Sequence, residues 1–210
     1  MINERKTDFF IGKLLDLAKI KFTPNGSSIK EVQNALKTAS KKGTGRAGFP
    51  EFVAKSKDFI IVIEDKADIE KQANYEDEEK TILATDVKSI TDFAENGALH
   101  YANEIITKTT FRKVFAFGCS GNEKHHIIKP IFVDESGYKL LEPVENFENF
   151  TETNIEKFYK EQVLGETPPE VLETKELQKK AAELHEHLRN YGQLGDKEKP
   201  LSLIHISEPT

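Results

Sequence analysis

An α/β fold with a mixed β-sheet between helices is predicted by three observations. The run Phe59-Ile60-Ile61-Val62-Ile63 is apolar and mostly β-branched, the pattern of a buried strand. A long helical pattern, Asp86 to Lys108, separates it from two further strand-like runs at Phe111–Cys119 and Ile127–Asp134. Helical patterns also occupy both ends of the chain. Strands interrupted by a long helix and flanked by others bury their faces best as a sheet sandwiched by helices.

The elements follow in order. Glu4 to Ile20 reads as a helix through Phe9, Phe10, Leu14, Leu15, Leu17 and Ala18. Pro24-Asn25-Gly26 is a turn. Ser28-Ile29-Lys30-Glu31 has the spacing of a capping box and opens a second helix through Ile29, Val32, Leu36 and Ala39. Phe49 to Ala54 is a short strand opened by proline, turned at Ser56-Lys57-Asp58 into the apolar strand. Asp68 to Lys80 is highly charged and poorly periodic, and reads as a solvated helix or mobile loop. A short strand at Tyr138–Leu141 extends a second hairpin, and helices at Asn154–Gln162 and Pro169–Asn190 follow.

Composition narrows the class. The chain has 210 residues, suited to one ordinary domain with a helical extension. No apolar run reaches membrane-spanning length and no secretory signal follows Met1, so a cytoplasmic protein without membrane contact is expected. One cysteine, Cys119, rules out an internal disulfide and a cysteine zinc cluster. Net charge is −6, unfavourable for uniform DNA binding, but cations gather in Lys37 to Arg46.

Chemistry concentrates where the apolar strand ends. Glu64 and Lys66 are two residues apart on a strand and leave on the same face. Burying either charge alone is costly. The preceding strand brings Glu51 toward Glu64, and two adjacent carboxylates suit a hard cation such as Mg²⁺. A lysine beside them can orient a water and offset negative charge as it develops. Lys41, Lys42 and Arg46, in a glycine-rich loop just upstream, are candidate phosphate contacts. A strand-end salt bridge is the plainer account of Glu64 and Lys66. His100-Tyr101, mid-helix, either faces a scissile phosphate or places Tyr101 in the core. His125 and His126 point to opposite faces of a strand, and His185 and His187 are spaced wrongly for one helix face. The loop at Gly43–Gly48 lacks the lysine–hydroxyl ending of a nucleotide-binding P-loop.

Pro50-Glu51 followed by Glu64-Asp65-Lys66 resembles the bipartite motif of the PD-(D/E)xK nuclease superfamily. With Ala39–Gly45, Gly48–Phe52, Phe59–Asp68 and Gly97–Ala102 in this order, the chain most resembles the N-terminal endonuclease domain of restriction enzymes fused to an N6-adenine methylase, of the type IIG or type I-like kind. The resemblance covers about the first two-thirds of the chain. It implies a restriction-endonuclease-like α/β/α sandwich and a Mg²⁺-dependent, site-specific deoxyribonuclease. Glu51 and Glu64 would then be metal ligands, and Glu51, Glu64 and Lys66 catalytic. Double-stranded DNA would be substrate. Two departures stand out: Glu51 replaces aspartate, leaving Asp58 as a rival, and Gly97 stands where related nucleases often carry glutamine. Related nucleases sometimes add a metal ligand from the first helix, where Glu4 and Asp8 lie; neither is counted in the site.

The expected organisation is a nuclease domain over 1–165 and a helical connector over 166–200. The connector would lead to methyltransferase and target-recognition regions, where S-adenosylmethionine would bind. Leu201 to Thr210 resembles the translation of a common transposase sequencing adapter, so residues 201–210 are expected not to be native and the chain to be cut short. Two other functions fit the same residues: a catalytically inactive nuclease fold serving as scaffold for a methyltransferase, and a structure-selective repair nuclease.

Overall fold

The computed structural model describes residues 4–167 and 169–191; the adapter-like segment 201–210 lies outside them. The chain divides between Gly165 and Glu166.

Within the first part, six strands form one sheet in sequential order. They are β1 (Phe22–Pro24), β2 (Phe52–Ser56), β3 (Phe59–Lys66), β4 (Val114–Asn122), β5 (His125–Asp134) and β6 (Gly137–Leu140). All neighbours are antiparallel except β3 and β4, which are parallel. That parallel pair requires a crossover, and the helical region between the strands provides it. The sheet is therefore mixed, as the sequence predicts.

Strand alternation sorts the core into two layers. Phe59, Ile61 and Ile63 face α1 (Glu4–Leu17), packing with Phe10, Ile11 and Leu15. Phe115, Phe117, Phe147 and Phe150 join them, their rings meeting edge to face at 4.6–5.2 Å. Ile60 and Val62 face the other way, against α2 (Lys30–Leu36) and α4 (Ala94–Lys108) through Val32, Leu36, Ala98, Ala102 and Ile105. The five residues Phe59 to Ile63 are fully buried. Each contributes about 1.5–3 kcal/mol, enough together to offset the several kcal/mol that a buried ion costs.

Several expectations are corrected. Pro24 is not only a turn residue: it ends the edge strand β1, where its missing N–H is tolerated. The capping box does not form. Ser28 bonds Thr23, and the Glu31 carboxylate accepts from the Thr110 backbone and hydroxyl, so tertiary partners outcompete the local cap. The helix predicted over Asp86–Lys108 is two, α3 (Val87–Asp92) and α4, because Phe93 is extended (φ −117°, ψ 141°). The region read as a solvated helix or mobile loop is an ordered loop with a 3₁₀ turn at Ile69–Lys71. Asn96 holds it by accepting from Asn74 N and donating to Asn74 O and Ala84 O, and Leu83 is fully buried. Near the domain's end, α5 (Ile155–Phe158) passes into a π-helical turn at Tyr159–Val163.

The N-terminal end of α4 lies directly on β4. A Cβ at Gly118 would stand 2.5 Å from the Glu95 backbone nitrogen. Around this contact Gln72 donates to Glu95 and to the Gly118 carbonyl, both at 2.9 Å. Tyr75 also donates to Glu95, and Lys129 pairs with Glu95 at 3.5 Å. Glu95 is thus buried with its hydrogen bonds made. In the second part, α6 (Pro169–Tyr191) is a single helix exposing Leu177, Leu184 and Leu188.

Because Gly118 leaves no room for a methyl group, Gly118→Ala is expected to lower unfolding stability by about 1–3 kcal/mol. Urea denaturation measures it, and an unchanged midpoint would contradict the close packing.

Candidate active site

Glu64 lies one residue beyond the apolar run of β3 and is fully buried. Its register partners are Gly118 in β4 and, extending the Phe52–Ile63 pairing by one step, Glu51 before β2. Val53, Ile60 and Val62 belong to the α4-facing layer. Alternation puts Glu51, Glu64 and Lys66 on that same face.

The cation nearest to Glu64 comes from the upstream loop. The Lys41 ammonium hydrogen-bonds Glu64 Oε2 and lies 5.3 Å from the Tyr101 ring centre. The other oxygen, Oε1, is buried with no hydrogen-bond partner. Burial pushes the Glu64 pKa up, while Lys41, Lys66 and His100 pull it down. Glu51, half-buried, is pushed up to about 7 by burial and by the negative charges of Glu64 and Asp8, against Lys41 and Lys66. These carboxylates and lysines therefore act on one another electrically. The structure brings Glu51, Glu64 and Lys66 together and adds Lys41.

The loop is shaped to deliver that lysine. Gly48 N donates to Leu36 O at 2.8 Å, and a Cβ at Gly48 would lie 2.2 Å from Ala39 O. The Tyr101 hydroxyl accepts from Phe49 N at 3.0 Å, and His100 Nε2 is 3.1 Å from Ala39 O. Tyr101 is core, its hydroxyl pKa raised by burial and by Glu64, and His100 is partly exposed. Both support the loop's backbone. A Cβ at Gly97 would stand 3.1 Å from Lys41 Nζ, so the bare backbone here gives the ammonium room.

Two sequence expectations change. Lys41 is not exposed with Lys42 and Arg46: only 17% of its side chain is accessible, because Glu64 needs a counter-ion. Lys42 and Arg46 remain exposed. Asp58 does not rival Glu51. It sits at the β2–β3 turn, six residues from Glu64, about 20 Å along an extended strand. Burial works to raise its pKa, but the Lys113 hydrogen bond at 2.9 Å, a backbone hydrogen bond and the charges of Lys113 and Lys57 together hold the carboxyl below its ordinary value. Asp8 faces Asp65, on the sheet side opposite Glu64. Burial and then the Asp8 charge push the Asp65 pKa up to about 9.

Lys41 as the partner of Glu64 was missed, as was the Gln72–Glu95–Lys129 network. Gly97 held the only local signal for the former, and nothing local marks the latter.

The donor set fits a hard divalent cation. It offers carboxylate oxygens, one of them orphaned, and two lysines to balance charge. Among the described residues no group of three or more His, Cys, Asp or Glu is arranged to hold a metal. Mg²⁺ commonly takes one or two carboxylates and completes its shell with water and phosphate.

The site thus combines paired carboxylates and lysines at the end of a central strand in an α/β sheet. Along its full length, at 39% identity, the chain is similar to the "Type II restriction enzyme and methyltransferase RM.BcgI" of Heyndrickxia coagulans. It covers 34% of that protein, so it spans about a third of the relative's length. No family model and no solved structure matches the chain.

Glu51 titrates with a definite sign. Its folded pKa of about 7 exceeds the ordinary 4.5, so between these values the folded state holds a proton that the unfolded state has lost. Stability from this group is full below 4.5 and lost as pH rises to 7. The melting-temperature gain of Glu51→Gln over wild type, in chelator, is expected to grow across that window and then level off. A gain that shrinks with pH would oppose the assignment. Lys41→Ala should cost about 3–5 kcal/mol at pH 8 by stranding Glu64, as read by urea denaturation.

Proposed function

We propose that this chain is the cleavage module of a restriction-modification enzyme, a Mg²⁺-dependent, site-specific DNA endonuclease with a restriction-endonuclease-like PD-(D/E)xK fold. The observation that carries the reading is Glu64, fully buried at the end of β3 with one carboxylate oxygen unpartnered and Glu51 in the adjoining register position. A strand-end salt bridge explains Lys41 on Oε2. It gives no reason for an orphaned oxygen beside a second carboxylate, an arrangement that costs about 1–3 kcal/mol or more. The likeness to a restriction enzyme and methyltransferase supports the same reading.

Glu51 and Glu64 would hold Mg²⁺, which when bound polarises the phosphoryl oxygen. Lys66 orients the attacking water and offsets the charge that grows on the phosphate oxygens. Lys41 pulls the Glu64 carboxyl toward its ionised form against the burial that raises its pKa. Lys42 and Arg46, exposed on the loop, contact flanking phosphates. The helix α6 is the connector toward a methyltransferase and target-recognition region, where S-adenosylmethionine belongs.

Cleavage of supercoiled plasmid by the full chain with Mg²⁺ tests the reading. Lys66→Ala is expected to lower the rate by about 10²–10³, with the circular dichroism spectrum and DNA affinity unchanged. Calorimetric Mg²⁺ binding should vanish in Glu64→Gln. Cutting by Lys66→Ala at the wild-type rate would remove that residue from the chemistry. Failure of the wild-type chain to bind Mg²⁺ would sink the site.

A further inference from the structure

A groove of 830 Å³ lies between α1 and the β4–β5 hairpin, and the proposed chemistry does not use it. Among the described residues, its walls carry Arg5, Lys6, Lys13 and Lys124 against one carboxylate, Glu123. In a chain of net charge −6 this is a local reversal of sign. Glu123 is already neutralised by Lys13 across the groove at 3.2 Å. Lys6 and Lys124 are exposed, one on each wall.

Helical spacing arranges the α1 wall. Phe9 is three residues after Lys6 and four before Lys13, so the ring and both ammonium groups share one stripe. Phe9 is 76% exposed, whereas Phe10 beside it is buried in the core. A single exposed apolar residue needs no explanation. An aromatic ring set between cations in a concave surface is a different case, because it offers apolar and cationic contacts at alternating positions. A sugar–phosphate chain presents the complementary alternation.

The groove borders the same strand end as the candidate site, on the α1 side of the sheet, whereas Glu64 and Lys66 leave on the α4 side. Ala67, which follows Lys66, lines it, and so does Gly121, next to Ser120, the register partner of Lys66. Thr7 closes its floor by donating to the Gly121 carbonyl at 2.9 Å. A Cβ at Gly121 would meet the His125 carbonyl oxygen at 2.2 Å, and its φ is +96°, so the hairpin wall is fixed in this path.

From this shared strand end, the charge and the alternation, we infer that the groove between α1 and the β4–β5 hairpin carries the DNA backbone leading away from the scissile phosphate, around the end of the sheet. Lys6 and Lys124 bind its phosphates from opposite walls, and Phe9 packs on the deoxyribose between them. The inference rests on the nuclease reading of Glu51, Glu64 and Lys66, but its residues are distinct from that site.

The test is fluorescence anisotropy of a short labelled duplex with the full chain in chelator, so that binding is read without cleavage. The doubly reversed variant Lys6→Glu, Lys124→Glu should bind more weakly to every sequence. Its plot of log affinity against log salt should be shallower by about 2 than that of wild type. Phe9→Ala should weaken binding while leaving that slope unchanged, since it releases no counterion. Lys157→Glu, at an exposed position elsewhere on the surface, is the control and should match wild type. All four side chains are exposed, so folding is expected to be intact, as circular dichroism checks. If the double variant binds with the wild-type slope while Lys66→Ala abolishes cleavage, the groove assignment falls and the nuclease reading stands. If the wild-type chain neither binds duplex nor cuts it, both fall.

Discussion

Everything at the candidate site depends on holding Glu64 inside the protein beside another acid. A carboxylate with no solvent exposure, next to a second one, is unstable unless positive charge is brought to it. Two independent devices bring it. Strand periodicity supplies Lys66 on the same face, and the folded loop before β2 supplies Lys41. The apolar run from Phe59 to Ile63 anchors the strand, so that the acids are held where they repel rather than relaxing into solvent.

The loop shows how backbone economy serves this charge balance. Gly48 permits the chain to pass Ala39 at a distance no other residue allows, and Gly97 leaves a void on α4 that the Lys41 ammonium fills. Tyr101 and His100 fix the same loop from the helix. On β4, Gly118 allows Glu95 to settle against the sheet, and the Gln72–Glu95–Lys129 contacts tie the charged loop to that point. Three glycines thus set the positions of two helical surfaces around one strand end.

The chain divides into a sheet-centred unit up to Gly165 and a second unit from Glu166. Among the described residues, the two buried layers on either face of the sheet draw on residues up to Val163. In α6, Leu177, Leu184 and Leu188 are exposed among charged residues.

By itself the sequence determined the alternation of strands and helices, the buried central strand, and the placement of Glu51, Glu64 and Lys66 on one face of the sheet. These follow from periods of two and 3.6 residues and from the length of a hairpin, all local quantities. It did not reveal that Lys41 turns inward, that Asp58 is stranded at the far end of the hairpin's register, or that Ser28 and Glu31 abandon their local cap. Nor did it reveal the break at Phe93 or the anchoring of the 68–86 loop. Those outcomes were decided by tertiary structure. Each is a competition between a local partner and a distant one, and burial makes the distant bond worth more, because an ion or amide removed from water must be satisfied by whatever group the fold has brought within reach.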